Sequence, residues 1–243
     1  MLDFNHGAMK QRSGVPTVDM LNQAAARHAS KPRDYLGGSR LGEECARKLQ
    51  YEFEGRPQRP LDAKTHIIFS FGHYGEDVIA DLLKGAGFDL RTHKVNGGQF
   101  GFETAGGRIR GHIDGVICDG PAEFGPYPYL WENKWVGGKY WQNIVKNGVA
   151  KERPVYAGQV ATYQAYMDLT ENPALFSFGN RDTGEIAFER VPFNAKLAQA
   201  CTDRGVQVIQ ATEAGERLPR PYASSDFFKC RFCDFREECW NGL

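Results

Sequence analysis

Residues 107–136, GRIRGHIDGVICDGPAEFGPYPYLWENKWV, hold two stretches with strand character, GRIRGHIDGVI and PYLWENKWV, parted by a Gly and Pro cluster that reads as a turn. Strand side chains alternate, so Leu130, Glu132, Lys134 and Val136 share one face of the second stretch, with Tyr129, Trp131, Asn133 and Trp135 on the other. In the first stretch the same rule groups Arg110, His112, Asp114 and Val116. A hairpin between the two brings Asp114 beside Glu132. Side-by-side carboxylates repel unless a cation lies between them, which makes a divalent metal a physical expectation, and hard oxygen ligands select Mg2+ or Mn2+. Alone, Glu-x-Lys is a weak signal whose plain alternative is a surface ion pair, since ordinary charged-residue usage yields on the order of one such triplet by chance.

Working outward, FDLRTHKV (88–95) supplies a preceding strand and completes a β-meander. Helices are predicted over residues 17–29, around ECARKLQYEF, and from near Ser70 to Gly87, where Tyr74, Val78 and Leu82 repeat at four-residue spacing toward the core. His73 and Glu76 share another face of that helix, and either could reach the metal; their alternatives are an exposed polar residue and a first-turn acid favoured by the helix dipole. After the meander come helices around YWQNIVKN and PVYAGQVATYQAYM, paired strands ALFSFGN and EIAFERVPF, and a helix over residues 194–213. The order gives an α/β sandwich with a mixed sheet.

The chain has 243 residues, 41% hydrophobic, 12% aromatic and 25% charged, an ordinary globular balance that favours a single domain over residues 1–243 and excludes collagen, fibres and disorder. No apolar run reaches the roughly 18–20 residues of a membrane span. The start, MLDFNHGAMKQR, lacks the apolar core of a secretory signal, so a soluble, cytoplasmic protein is expected. Thirty Lys and Arg balance thirty Asp and Glu, so a nucleic-acid partner must be held by a local basic surface or a bound metal. One such surface follows the Glu-x-Lys strand: Lys139, Lys146, Lys151 and Arg153 interleave with Tyr140 and Trp141. Basic groups and stacking aromatics suit single-stranded DNA or free ends; the alternative is a solvated helix face with its aromatics in the core.

Three of the six cysteines lie in the last fourteen residues, where Cys230, Cys233 and Cys239 form C-x2-C-x5-C. With the remote Cys45 they make a four-thiolate set suited to Zn2+ or a 4Fe-4S cluster, between which spacing does not choose. The site would staple residues 226–243 to residues 39–50, and the alternative is four reduced thiols. Cys118 and Cys201 read as ordinary buried thiols.

These residues together resemble the PD-(D/E)XK nuclease superfamily, in particular its RecB-like iron–sulfur exonuclease branch, which includes the AddB nuclease domain and the CRISPR-associated adaptation exonucleases. The resemblance runs through Ser39, Leu41, Gly42, Cys45 and Arg47, then Gly72 to Glu76, Asp114, Glu132-Asn133-Lys134, Gln159-x3-Tyr163 and the three C-terminal cysteines. It implies a restriction-endonuclease-like core, a mixed central sheet flanked by helices and closed by a C-terminal cysteine cluster. It also implies that Asp114 and Glu132 hold the metal, that Lys134 polarises the attacking water, and that Gln159 and Tyr163 support the lysine or contact DNA. Glu76 is favoured over His73 as the further ligand by the Gly-x3-ligand spacing. Ile113 stands where a proline is usual.

The activity implied is a metal-dependent DNA exonuclease, acting on single strands or ends in recombination, repair or phage DNA processing. The rival is a non-catalytic nucleic-acid-binding or assembly subunit. A prespacer-trimming nuclease with partner proteins in CRISPR adaptation is a neighbouring alternative.

Overall fold

The computed structural model describes residues 17–27, 33–58 and 62–241. The stretch MLDFNHGAMKQR, the last two residues of the first predicted helix and the final two of the tail lie outside these. The chain opens with α1 (Val18–Arg27), capped by Thr17, whose Oγ1 accepts from the Met20 N–H at 3.3 Å. α2 (Ala46–Phe53) follows directly after Cys45. α3 (Ala63–Gly85) starts earlier than Ser70, because Asp62 supplies an N-cap that accepts from the Thr65 N–H at 2.7 Å.

The expected meander stands as three consecutive antiparallel strands within a larger sheet, and a second, smaller sheet is added to it. The smaller joins β1 (Leu36–Gly37), β4 (Ile109–His112) and β3 (Gly101–Thr104), with β1 parallel to β4. The larger has the order β2 (Leu90–Arg91), β5 (Gly115–Ile117), β6 (Tyr129–Val136), β7 (Ala174–Asn180) and β8 (Ile186–Val191). Only β6 and β7 run parallel in it. GRIRGHIDGVI is therefore not one strand: β4 pairs in the small sheet, β5 in the large one, and the chain changes sheets at Ile113 and Asp114. Ile113 is buried, and its N–H is bonded to Phe100 O at 3.0 Å. The alternation of Arg110, His112, Asp114 and Val116 with buried neighbours nevertheless continues through the change of sheet, and β3 is an additional strand.

A parallel pair needs a crossover, here α4 (Gly138–Asn147), α5 (Val149–Glu152) and α6 (Pro154–Tyr166). α6 covers one face of the large sheet, packing Val160 and Tyr163 with Leu130, Phe176 and Phe178. α3 covers the other through Ile79, Ala80 and Leu83 against Tyr129, Trp131 and Leu175. β6 is thus enclosed on both faces, which is why Glu132, Asn133 and Lys134 stand out within an otherwise apolar and aromatic strand.

The expected core face of α3 is corrected: Tyr74 is 67% and Leu82 59% exposed, Val78 is half-buried, and Gly75, Ile79, Ala80 and Leu83 turn inward. The small residues Gly75 and Ala80 let the helix settle close to the bulky indoles of β6, so that frame prevails over the one marked by larger side chains.

α7 (Ala195–Glu213) joins α2 and Ile109 of β4 in a second core with Leu41, Leu49 and Val208. The tail carries α8 (Phe228–Arg231) and α9 (Arg236–Asn241). No helix among the described residues is long and apolar enough to cross a membrane.

Candidate active site

Pairing of Gly115 with Trp131 fixes the β5–β6 register and delivers Asp114 to the polar segment of β6. The Asn133 N–H donates to Asp114 Oδ2 at 2.8 Å. Lys134 Nζ donates to Glu132 Oε1 and, at 3.0 Å, to Asn133 O, and stands 3.9 Å from Asp114 Oδ2. Glu132 is 0% exposed. Gln159, buried on α6, donates its amide to the same Oε1, which leaves Glu132 Oε2 buried with no hydrogen-bond partner among the described residues.

Burial first, then the charge of Asp114, pushes Glu132 up to about 8 against the opposing pull of Lys134. The same two causes raise half-buried Glu76 to about 7. Burial disfavours the charge on Lys134, but Glu132 and Asp114 outweigh it and hold the ammonium above its ordinary value. Three carboxyls face one ammonium in a desolvated place, so their full ionisation leaves an excess of negative charge that uptake of a cation would relieve.

Glu76 and Asp114 share a cleft of about 330 Å3 with Asp81, Thr92, His93 and Gln99. His73 is exposed on α3 and does not line it. Tyr163, one turn after Gln159, is buried against Phe102, and burial followed by the charge of Glu132 raises its hydroxyl above the ordinary tyrosine range. No group of three or more His, Cys, Asp or Glu side chains among the described residues is drawn tightly enough to cage a metal. At the acidic site the ammonium of Lys134 sits among the carboxylates instead.

The basic stretch divides. Lys139, Tyr140, Lys146 and Lys151 are exposed, and the guanidinium carbon of half-buried Arg153 lies 3.8 Å from the Tyr140 ring centroid. Trp141 turns inward, its indole N–H donating to Phe178 O at 3.1 Å. Tyr156, which no sequence motif marks, has its ring 5.9 Å from Lys134 Nζ and 6.0 Å from the Arg153 guanidinium. His93 and Gln99 form an isolated bridge. Neither carries a motif; the fold brings them in.

The tail folds back onto α2. Buried Phe235 lies 5.3 Å from Tyr51 between ring centroids, Lys229 pairs with Glu44, and Arg56 with Glu238 at 2.9 Å. Burial raises the Cys45 thiol, and the charges of Cys233 and Cys239 push it the same way, so the tail brings those sulfurs within electrostatic reach of Cys45. All six cysteines stand as thiols; Cys201 is buried and Cys118 half-buried.

No family model matches the sequence. The fold aligns with the crystal structure of SSO0001 at a TM-score of 0.53 and 14% identity, over 93% of this chain and 96% of that one. It aligns with LHK-Exo in complex with dAMP at a TM-score of 0.54 and 16% identity, over 82% of this chain and 94% of that one. A further structure of LHK-Exo, described as an alkaline exonuclease from Laribacter hongkongensis, gives a TM-score of 0.48 at 14% identity over 81% and 93%. The mixed sheet flanked by helices is that of a restriction-endonuclease-like nuclease fold.

Proposed function

We propose that the chain is a metal-dependent DNA exonuclease that hydrolyses phosphodiester bonds, acting on single strands or ends. The observation that carries this reading is the buried, unpartnered Glu132 Oε2 in a strand that also presents Lys134 and secures Asp114. An acceptor left bare inside a protein is costly unless something occupies it, and an all-oxygen donor set of Asp114, Glu132 and Glu76 suits Mg2+ or Mn2+. When bound, such a cation supplies Lewis-acid relief of the charge on the phosphodiester and makes water easier to deprotonate.

The chain's own groups do the rest. Gln159 and Lys134 fix one oxygen of Glu132 and thereby the orientation of the other. The ammonium of Lys134 is placed to hold the attacking water and to stabilise the negative charge that builds on the phosphoryl oxygens as the new P–O bond forms and the old one breaks. Exposed Lys139, Tyr140, Lys146 and Lys151, with Arg153, would neutralise and stack on the incoming strand. The cysteines Cys45, Cys230, Cys233 and Cys239 would hold a 4Fe-4S cluster, or Zn2+, that fastens the tail. The likeness to an alkaline exonuclease bound to dAMP supports the choice of DNA at the level of fold.

The test is cleavage of end-labelled single- and double-stranded DNA by anaerobically purified protein in Mg2+, Mn2+ or EDTA, beside Asp114→Ala. Metal-dependent products that vanish in the variant are expected. Intact DNA, or equal activity in the variant, overturns the reading in favour of a binding subunit.

A further inference from the structure

α3 approaches β6 most closely where it has no side chain. A Cβ on Gly75 would lie 2.2 Å from Trp135 Nε1 and 2.3 Å from its Cε2. Non-bonded carbons settle at about 3.5–4.0 Å, so any side chain there must displace the helix or the indole by roughly 1 Å. A Cβ on Gly179 of β7, the residue paired with Trp135 across the sheet, would lie 2.3 Å from Trp135 Cδ2. The indole therefore sits in a slot lined by a glycine of α3 and a glycine of β7. Its N–H is buried without a hydrogen-bond partner among the described residues, so packing rather than a polar contact holds it. Gly72, one turn earlier, has nothing within 4 Å of an added Cβ. Both glycines weaken the helix relative to alanine, but only Gly75 is required by space.

The slot lies within the candidate site's own sequence: Gly75 immediately precedes Glu76, and Trp135 immediately follows Lys134. We infer that the Gly75–Trp135–Gly179 slot sets the separation of α3 from β6 and so places Glu76 in the cleft it shares with Asp114, making Gly75 and Trp135 positioning residues of the acidic site. The inference rests on the metal-dependent reading of that site. A displacement of about 1 Å in a group of this kind can cost orders of magnitude in function.

The experiment is Mn2+ titration by calorimetry, with melting curves in EDTA, of the full chain and its Gly75→Ala, Gly72→Ala and Gly75→Ala/Trp135→Val variants. Gly75→Ala is expected to weaken Mn2+ binding at least roughly tenfold, Gly72→Ala to bind as the wild type does, and the double variant to recover most of the loss. A merely structural role would not move metal affinity selectively. Wild-type affinity in Gly75→Ala overturns the inference, as does a loss that persists unchanged in the double variant. Wild-type protein that takes up no Mn2+ overturns the metal reading itself. The melting curves still decide the slot in that case: Gly75→Ala must lower the melting temperature when Trp135 is present and not when it is replaced.

Discussion

The Asn133 N–H donates to Asp114 Oδ2 at 2.8 Å, so the carboxylate at the crossing between two sheets is held by strand backbone as well as by its ion pair with Lys134. The placement of Asp114 thus depends on the register in which Gly115 faces Trp131. A one-residue slip would reverse the faces of β5 and withdraw the carboxylate from Glu132. Register, usually discussed as a requirement of the core, is here also a requirement of the candidate site.

Asp114→Asn keeps an oxygen for the Asn133 N–H and removes the charge. Its melting temperature should stay close to wild type, while Mn2+-dependent hydrolysis of end-labelled DNA falls by roughly a hundredfold or more, the scale of losing one electrostatic contributor to a transition state. Comparable losses of stability and activity would show that Asp114 acts through folding instead.

The raised carboxylates give a signed pH dependence. Glu132 and Glu76 hold their protons in the folded protein up to about 8 and about 7, whereas in the unfolded chain they lose them near the ordinary 4.5. The folded state then binds more protons across that window, so stability of the metal-free protein falls as pH rises through it. Glu132→Gln carries no charge at any of these values and should flatten the decline of melting temperature between about pH 5 and about pH 9 in EDTA. Added Mn2+ should oppose the wild-type decline, since ionised carboxylates bind it best. Parallel pH slopes for variant and wild type would remove Glu132 as the source.

The convergence of Asp114, Glu132 and Lys134 is legible in the sequence because period-two alternation and the antiparallel pairing of the two strands fix which side chains can meet, even across the connection of residues 118–128. What alternation does not reveal is that the first stretch changes sheets at Ile113, a consequence of which strands are available to pair, or that the unpatterned stretch holding Gly101–Thr104 becomes a strand. The buried face of α3 is misread for a related reason. Large apolar residues announce a face by size, whereas here Gly75 and Ala80 are selected by the space that Trp135 and Trp131 occupy. Such complementarity belongs to two distant segments at once and leaves no period in either.

The split of the basic stretch separates binding from packing. Arg153→Ala removes the guanidinium stacked 3.8 Å over Tyr140 and should raise the Kd for a single-stranded oligonucleotide several-fold through loss of one cationic contact to the strand. The slope of log K against log salt should become shallower by about 0.7 if one phosphate contact is lost. Trp141→Ala, by contrast, empties a site whose indole is bonded to Phe178 O, and should lower the melting temperature first. Fluorescence anisotropy at several salt concentrations checks both, and an unchanged Kd for Arg153→Ala would take the strand away from this face.

Cysteine at position 230 tests the staple. The tail already rests on α2 through Phe235 against Tyr51 and the Lys229–Glu44 pair, so the thiols need not supply its docking alone. If they hold an iron–sulfur cluster or Zn2+, Cys230→Ala should release the metal, lower the melting temperature and expose the segment after residue 226 to limited proteolysis, because binding of a structural metal is coupled to folding. Cys118→Ala, outside the four-thiol set, should leave metal content unchanged. Anaerobic purification with iron, sulfide and zinc analysis distinguishes the two metals. Equal metal content and melting temperature in Cys230→Ala and wild type would leave packing and ion pairs as the whole explanation of the folded-back tail.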